Sequence, residues 1–180
     1  MQQADEKQLI ARILDGHAED YGYFLTRYGQ EVFRLVVRLV PQQQDAEELV
    51  QDAFVRAFDR LDTYTGEAAF HTWLCRIAYN LTVSWLRKRK MKYISIDERP
   101  DISDTDIDRL LDDNSRVEQL RDACAQLTPD EQTLVNLYYY DEKPIRDIAY
   151  ILGLEQGNIA TRLFRIRKKL YLIIKKTEKQ

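Results

Sequence analysis

Apolar residues recur at three- and four-residue intervals over most of this chain, the spacing of one face of an α-helix. Leu9, Ile10, Ile13 and Leu14 mark a first helix from Asp5 to Leu14, with Gly16 as its stop. A second pattern runs from Ala18 to Tyr28, and a third, strongly apolar, from Gln30 to Val40, ending before Pro41. Asp45 with Glu48 three residues on offers a cap and opens a helix to Leu61, with Leu49, Val50, Ala53, Phe54, Ala57 and Phe58 at helical spacing. The polar stretch from Asp62 to Glu67 predicts a loop. A long helix follows from Ala68 to Lys90, apolar at Phe70, Leu74, Ile77, Ala78, Leu81 and Trp85.

From Met91 to Ser115 the helical period is lost and Asp accumulates, which predicts a linker with a short helical piece at Ile107 to Leu111. Val117 to Gln126 reads as helix again. Thr128-Pro-Asp-Glu131 is a capping box with Pro at the first helical position, and its helix carries Leu134, Val135, Leu137 and Tyr138. Two closely spaced helices close the chain, Pro144 to Leu152 and Glu155 to Lys175, joined at Gly153. With only six Gly and four Pro in 180 residues, long stretches run without a breaker, which favours an all-α chain.

Composition narrows the picture by exclusion. The N-terminus lacks the basic start and apolar run of a signal peptide, and the stretch from Leu35 to Val40 is far too short to span a bilayer. A soluble, cytoplasmic protein without membrane insertion is expected. Two cysteines make no disulfide framework. His71 and Cys75 lie four residues apart, but no second pair completes a zinc site, and His17 stands alone. No phosphate loop, nucleophile elbow or carboxylate pair with a base is present, so neither an enzyme nor a cofactor is expected.

The net charge of −3 hides a segregation of charge. Arg87 to Lys92 holds five basic residues and no acid, and Arg162 to Lys176 holds seven and no acid. Between them, Asp97 to Glu118 holds nine acids against three arginines. Two basic helix ends flanking an acidic linker suggest two anion-contacting surfaces on two bodies.

Three constellations carry candidate chemistry. In the C-terminal pair of helices, Ile145, Ile148, Ala149 and Leu152 give an apolar face, Gly153 permits a tight turn, and Leu154, Ile159, Leu163 and Ile166 anchor the second helix. This is a helix-turn-helix pattern. Its outer face offers Asn158, Thr161, Arg162, Arg165, Lys168 and Lys169 to base edges and phosphates. The bland alternative is a helical hairpin with a solvated cationic face. The second constellation joins Tyr64, Phe70, Tyr79 and Trp85 with Trp73, Arg76 and Asn80, the last three sharing one helix face, a mixture suited to unstacked single-stranded bases. The alternative is that these aromatics are core. The third is an acidic face with Asp45, Glu48, Asp52 and Asp59 beside Val55, either simply solvated or docked on a basic helix of a partner protein.

Taken in order, these segments resemble an extracytoplasmic-function (ECF) sigma factor, the minimal sigma-70 class with only the second and fourth sigma domains. Residues 45–54, DAEELVQDAF, resemble its polymerase-binding helix; residues 70–80, FHTWLCRIAYN, its promoter-melting helix; and residues 127–132 through 162–170 its fourth domain. The resemblance implies a sigma2-like domain over residues 1–92, an acidic connector over 93–116, a sigma4-like domain over 117–175 and a tail over 176–180. Asp45, Glu48, Leu49, Gln51, Asp52 and Phe54 would then contact the clamp helices of core RNA polymerase, whose flap is a further expected contact. The loop Asp62, Thr63, Tyr64, Thr65, Gly66, Glu67 with Asn80 would capture a flipped base of the minus-ten element. Trp73 and Arg76 would support the melted junction, with Arg87 and Lys88 on the strand.

In the fourth domain, Asn158, Thr161, Arg162, Phe164 and Arg165, with Lys168 and Lys169, would address the minus-thirty-five element. Ala160 departs from the family, which often carries Lys or Arg there. The resemblance further implies a monomer when free, control by an anti-sigma factor that can hold it near the inner membrane, and a stress- or signal-responsive role. Two rival classes are an operator-binding helix-turn-helix regulator, which would usually dimerise, and a helical scaffold without salt-sensitive DNA binding.

Overall fold

In the computed structural model, residues 3–90 and 116–177 are described. Among them are eight α-helices and no strand. They are α1 (Gln3–Leu14), α2 (Gly22–Val37), α3 (Gln43–Asp59), α4 (Phe70–Lys90), α5 (Arg116–Ala125), α6 (Pro129–Val135), α7 (Ile145–Leu152) and α8 (Gln156–Thr177). The expected connector and its helical piece at Ile107 to Leu111 lie outside the described residues. The chain divides into two compact units, Met1–Tyr93 with Ala149–Leu154, and Ile94–Ile148 with Glu155–Gln180.

In the first, α2, α3 and α4 pack pairwise on one another. Ala46, Ala53 and Ala57 of α3 and Ala78 of α4 are wholly buried. Such small side chains let helix axes approach closely. Phe24, Val32, Val36 and Leu74, equally buried, fill the space between them.

Two boundaries differ from the sequence expectation. The segments predicted from Ala18 to Tyr28 and from Gln30 to Val40 are a 3-10 turn, Ala18–Tyr21, followed by one continuous helix to Val37. Gly29 does not break it. A mid-helix Gly costs only about 1 kcal/mol relative to Ala, whereas Phe24, Tyr28, Val32, Leu35 and Val36 form one buried stripe that only a single helix can align. Likewise α3 begins at Gln43, with Gln42 in the capping position, so Asp45 lies inside the first turn and is not its cap. An acid there still suits the positive end of the helix dipole.

In the second unit, α5 and α6 both pack against α8. The capping box forms in full: Thr128 N–H donates to Glu131 Oε2 at 2.8 Å, and Glu131 N–H to Thr128 Oγ1 at 3.3 Å. Gln132 Nε2 donates to the carbonyls of Cys124 and Leu127, both at 3.1 Å, satisfying oxygens that the end of α5 leaves open. Beyond α6 the chain runs through a π-helical turn, Asn136–Tyr140, closed by Lys143 N–H on the Leu137 carbonyl at 2.9 Å. Glu142 takes the left-handed conformation there, with φ 48°. For a residue with a Cβ that conformation costs about 1–2 kcal/mol.

Candidate nucleic-acid interface

The loop before α4 is held by its own aromatic residue. Tyr64 OH donates to the Ala68 carbonyl at 2.8 Å, and its ring lies 5.3 Å from Trp73 and 5.6 Å from Phe70. Thr63 Oγ1 donates to the Arg60 carbonyl at 2.7 Å, and Gly66 turns the chain at φ 76°. Asp62, Thr63, Thr65 and Glu67 are exposed around this frame. Burial, more than neighbouring charge, raises the Tyr64 phenol above its ordinary pKa, so it stays a neutral donor.

Along α4, Asn80, Ser84, Arg87 and Lys88 are exposed and Arg76 is half-buried. Trp73 corrects the sequence reading. It shares the helical face of Asn80, but is only 9% exposed, packed with Tyr64 and Phe70 in a three-ring cluster. It therefore offers no free ring for stacking and instead supports the loop. Phe70, as the alternative reading held, is core at 1%.

On α3, Glu48, Gln51 and Asp52 are exposed, whereas Leu49 and Phe54, expected as partner contacts, are each 5% exposed and turned into the bundle. The apolar part of this surface is Val55 and Phe58, at 60% and 40% exposure. The sequence reading placed Phe58 with the apolar set of the helix. Three residues beyond Val55, it lies instead at the surface, edge-on to Tyr21 at 5.0 Å. Asp45, also expected on that surface, is ion-paired with Arg89 of α4 at 2.9 Å. Nothing local in the sequence signals this pair, which joins residues 44 positions apart.

In the last two helices, Gly153 at φ 67° makes the turn, and Leu154 N–H closes it on the Ala149 carbonyl at 2.9 Å. Ile159, Leu163 and Ile166 are buried. Asn158, Thr161, Arg162 and Arg165 are exposed, with Arg162 Nε donating to Asn158 Oδ1 at 3.1 Å. Phe164 is half-buried, and Lys168 Nζ lies 6.0 Å from its ring centre. Lys169 is not a free phosphate donor. It bonds Glu131 Oε2 at 2.8 Å, tying α8 to the capping box. Burial raises the Glu131 pKa, but Lys169 and the Thr128 donors outweigh it and hold the carboxyl below its ordinary value. Among the described residues no His/Cys/Asp/Glu group could hold a metal ion, and no helix is long and apolar enough to cross a membrane.

These surfaces coincide with known families. Residues 24–91 match Sigma-70 region 2 and residues 117–170 match Sigma-70 region 4. The chain is 28% identical to RNA polymerase sigma-H factor of Pseudomonas aeruginosa, over 93% of each chain. It is 27% identical to the ECF RNA polymerase sigma factor SigW of Bacillus subtilis, over 91% of this chain and 94% of that one. Among solved structures, it resembles the sigma factor RpoE in complex with the anti-sigma factor NepR from Bartonella quintana, at TM-score 0.63 and 24% identity over 87% and 98% of the chains. It also resembles CnrH in complex with the cytosolic domain of CnrY, at TM-score 0.65 and 21% identity over 93% and 95%. These two show the fold. With both regions matched in order, and with the cationic faces of α4 and α8 lying one in each, the chain belongs to the sigma-70 family as an ECF sigma factor, a transcription initiation factor of RNA polymerase.

Proposed function

We propose that this chain directs core RNA polymerase to promoters through three faces with separate tasks. Exposed Glu48, Gln51 and Asp52, followed further along α3 by exposed Val55 and Phe58, form a polar, acid-bearing stretch continued by an apolar one, suited to a basic helix of the polymerase clamp. The loop from Asp62 to Glu67 together with Asn80 receives a base flipped out of the minus-ten element. Flipping costs a few kcal/mol. Because Trp73 is covered, hydrogen bonds from Asn80 and the loop, not stacking on Trp73, must offset that cost. Arg87 and Lys88 follow the strand backbone, and Arg76, half-buried, supports the melted junction. Asn158, Thr161, Arg162 and Arg165 read the minus-thirty-five duplex, where each good bidentate base contact discriminates by about 1–3 kcal/mol. Phe164 and Lys168 lie beside that surface.

The observation that carries this reading is the sorting of exposed side chains: acid with apolar on α3, amide with cation on α4, cation with amide on α8. Control by an anti-sigma factor is part of the proposal, supported by a structural relative crystallised with one. The test is transcription in vitro by core polymerase with this chain added to fragmented genomic template. Discrete starts sharing two motifs at fixed spacing, lost in Asn80→Ala and Arg165→Ala, are expected. Failure to bind core while still binding duplex operators would favour the regulator reading instead.

A further inference from the structure

The basic end of α4 is not uniform. Taking about 100° per residue, Ser84 and Arg87 lie within about 40° of Asn80 around the helix, and all three are exposed. Arg89 lies about 180° from Asn80, at the end of a stripe that runs through Ala78, Thr82 and Trp85. Ala78 and Thr82 are wholly buried and Trp85 is half-buried, so this stripe faces the bundle. Arg89 therefore cannot join Asn80 and Arg87 on one strand of nucleic acid. Its guanidinium lies 4.2 Å from the Trp85 ring centre and bonds Asp45 Oδ2 at 2.9 Å.

An exposed ion pair by itself contributes little. Here the Arg89 side chain is 58% exposed but Asp45 only 17%, and the cation also lies over a ring, so the pair is held in place by more than its charges. Its position gives it a task. Arg87, Lys88, Arg89 and Lys90 put four cations in succession in the last described turn of α4. Their mutual repulsion would swing Arg87 out of line with Asn80. Pairing with Asp45 neutralises one of the four charges and pins the final turn to the first turn of α3.

We infer that Asp45 is a positioning residue for promoter opening and not a polymerase contact: through Arg89 it holds the strand-facing Arg87 in register with Asn80. The inference rests on the sigma-factor reading above. Its test uses holoenzyme assembled from core polymerase and the full chain, with core affinity measured separately from promoter opening by permanganate reactivity of unpaired thymines. Asp45→Asn, nearly isosteric, and Arg89→Met, which keeps the apolar stem, should each slow opening at saturating holoenzyme by about three- to tenfold. Core affinity should stay within about twofold. The double variant should be no slower than either single one. Loss of core affinity in Asp45→Asn with normal opening at saturation would overturn the inference, as would additive slowing in the double variant. If the unsubstituted holoenzyme opened no promoter, the sigma reading itself would fail, and that shows before any residue is changed.

Discussion

The exposed cationic faces of α4 and α8 stand on different foundations. Behind α4 lies a cluster of rings: Phe24 and Phe70 with centres 4.0 Å apart, Phe70 and Trp73 at 5.6 Å, Tyr64 and Trp73 at 5.3 Å. Behind α8 lies an aliphatic stripe of Ile159, Leu163 and Ile166. Rings give large contact areas from single residues, so they can hold an irregular loop that has no periodic partner of its own. An aliphatic stripe at helical spacing holds a rod and nothing else. The first face thus joins loop and helix into one shaped surface, the one proposed above to receive an unstacked base. The second is one regular helix, the kind of element proposed above to enter a major groove.

The largest effect that would break this comparison is Phe70→Ala. Emptying a site that is 1% exposed should cost about 3–5 kcal/mol. Unfolding by urea, followed by near-UV dichroism and tryptophan fluorescence, should show the loss in the unit that holds both tryptophans, Trp73 and Trp85. Arg165→Ala leaves the aliphatic foundation untouched and removes an exposed cation. Promoter discrimination, measured by competition between upstream sequences at fixed salt, should fall by about 1–3 kcal/mol at one base pair without change in stability.

A smaller effect sharpens the account of how α8 is anchored. Thr128→Ala should cost about 1 kcal/mol of stability. The Glu131 half of the box adds a pH dependence. Its folded-state pKa is lowered, so its contribution is complete above the ordinary value of 4.5 and is lost as the pH falls through the folded pKa. Acid unfolding of Glu131→Gln should lack that component. The smallest expected change is a gain: Glu142→Gly relieves a left-handed residue and should raise stability by up to about 1 kcal/mol, read as a shift in the denaturation midpoint.

Much of the helical framework was legible because local chemistry encodes it. The Thr128 box, the Gly153 turn and the stripe of Ile159, Leu163 and Ile166 all act between residues a few positions apart, and each is found as read. The two patterns expected from Ala18 to Tyr28 and from Gln30 to Val40 merge instead, because one packing stripe runs through Gly29. The reading failed at Asp45, where an apparent cap has another partner.

By itself, then, the sequence determined which stretches are helical, which faces are apolar and where cations gather, since neighbours at three and four residues meet on any helix. Only the tertiary structure decided which polar residues on those faces remain available. Trp73 is covered by a loop nine residues before it, Lys169 is taken by Glu131 across 38 positions, and Asp45 by Arg89 across 44. A helical period specifies that a residue points outward but not what stands opposite it, and that depends on how separate helices pack.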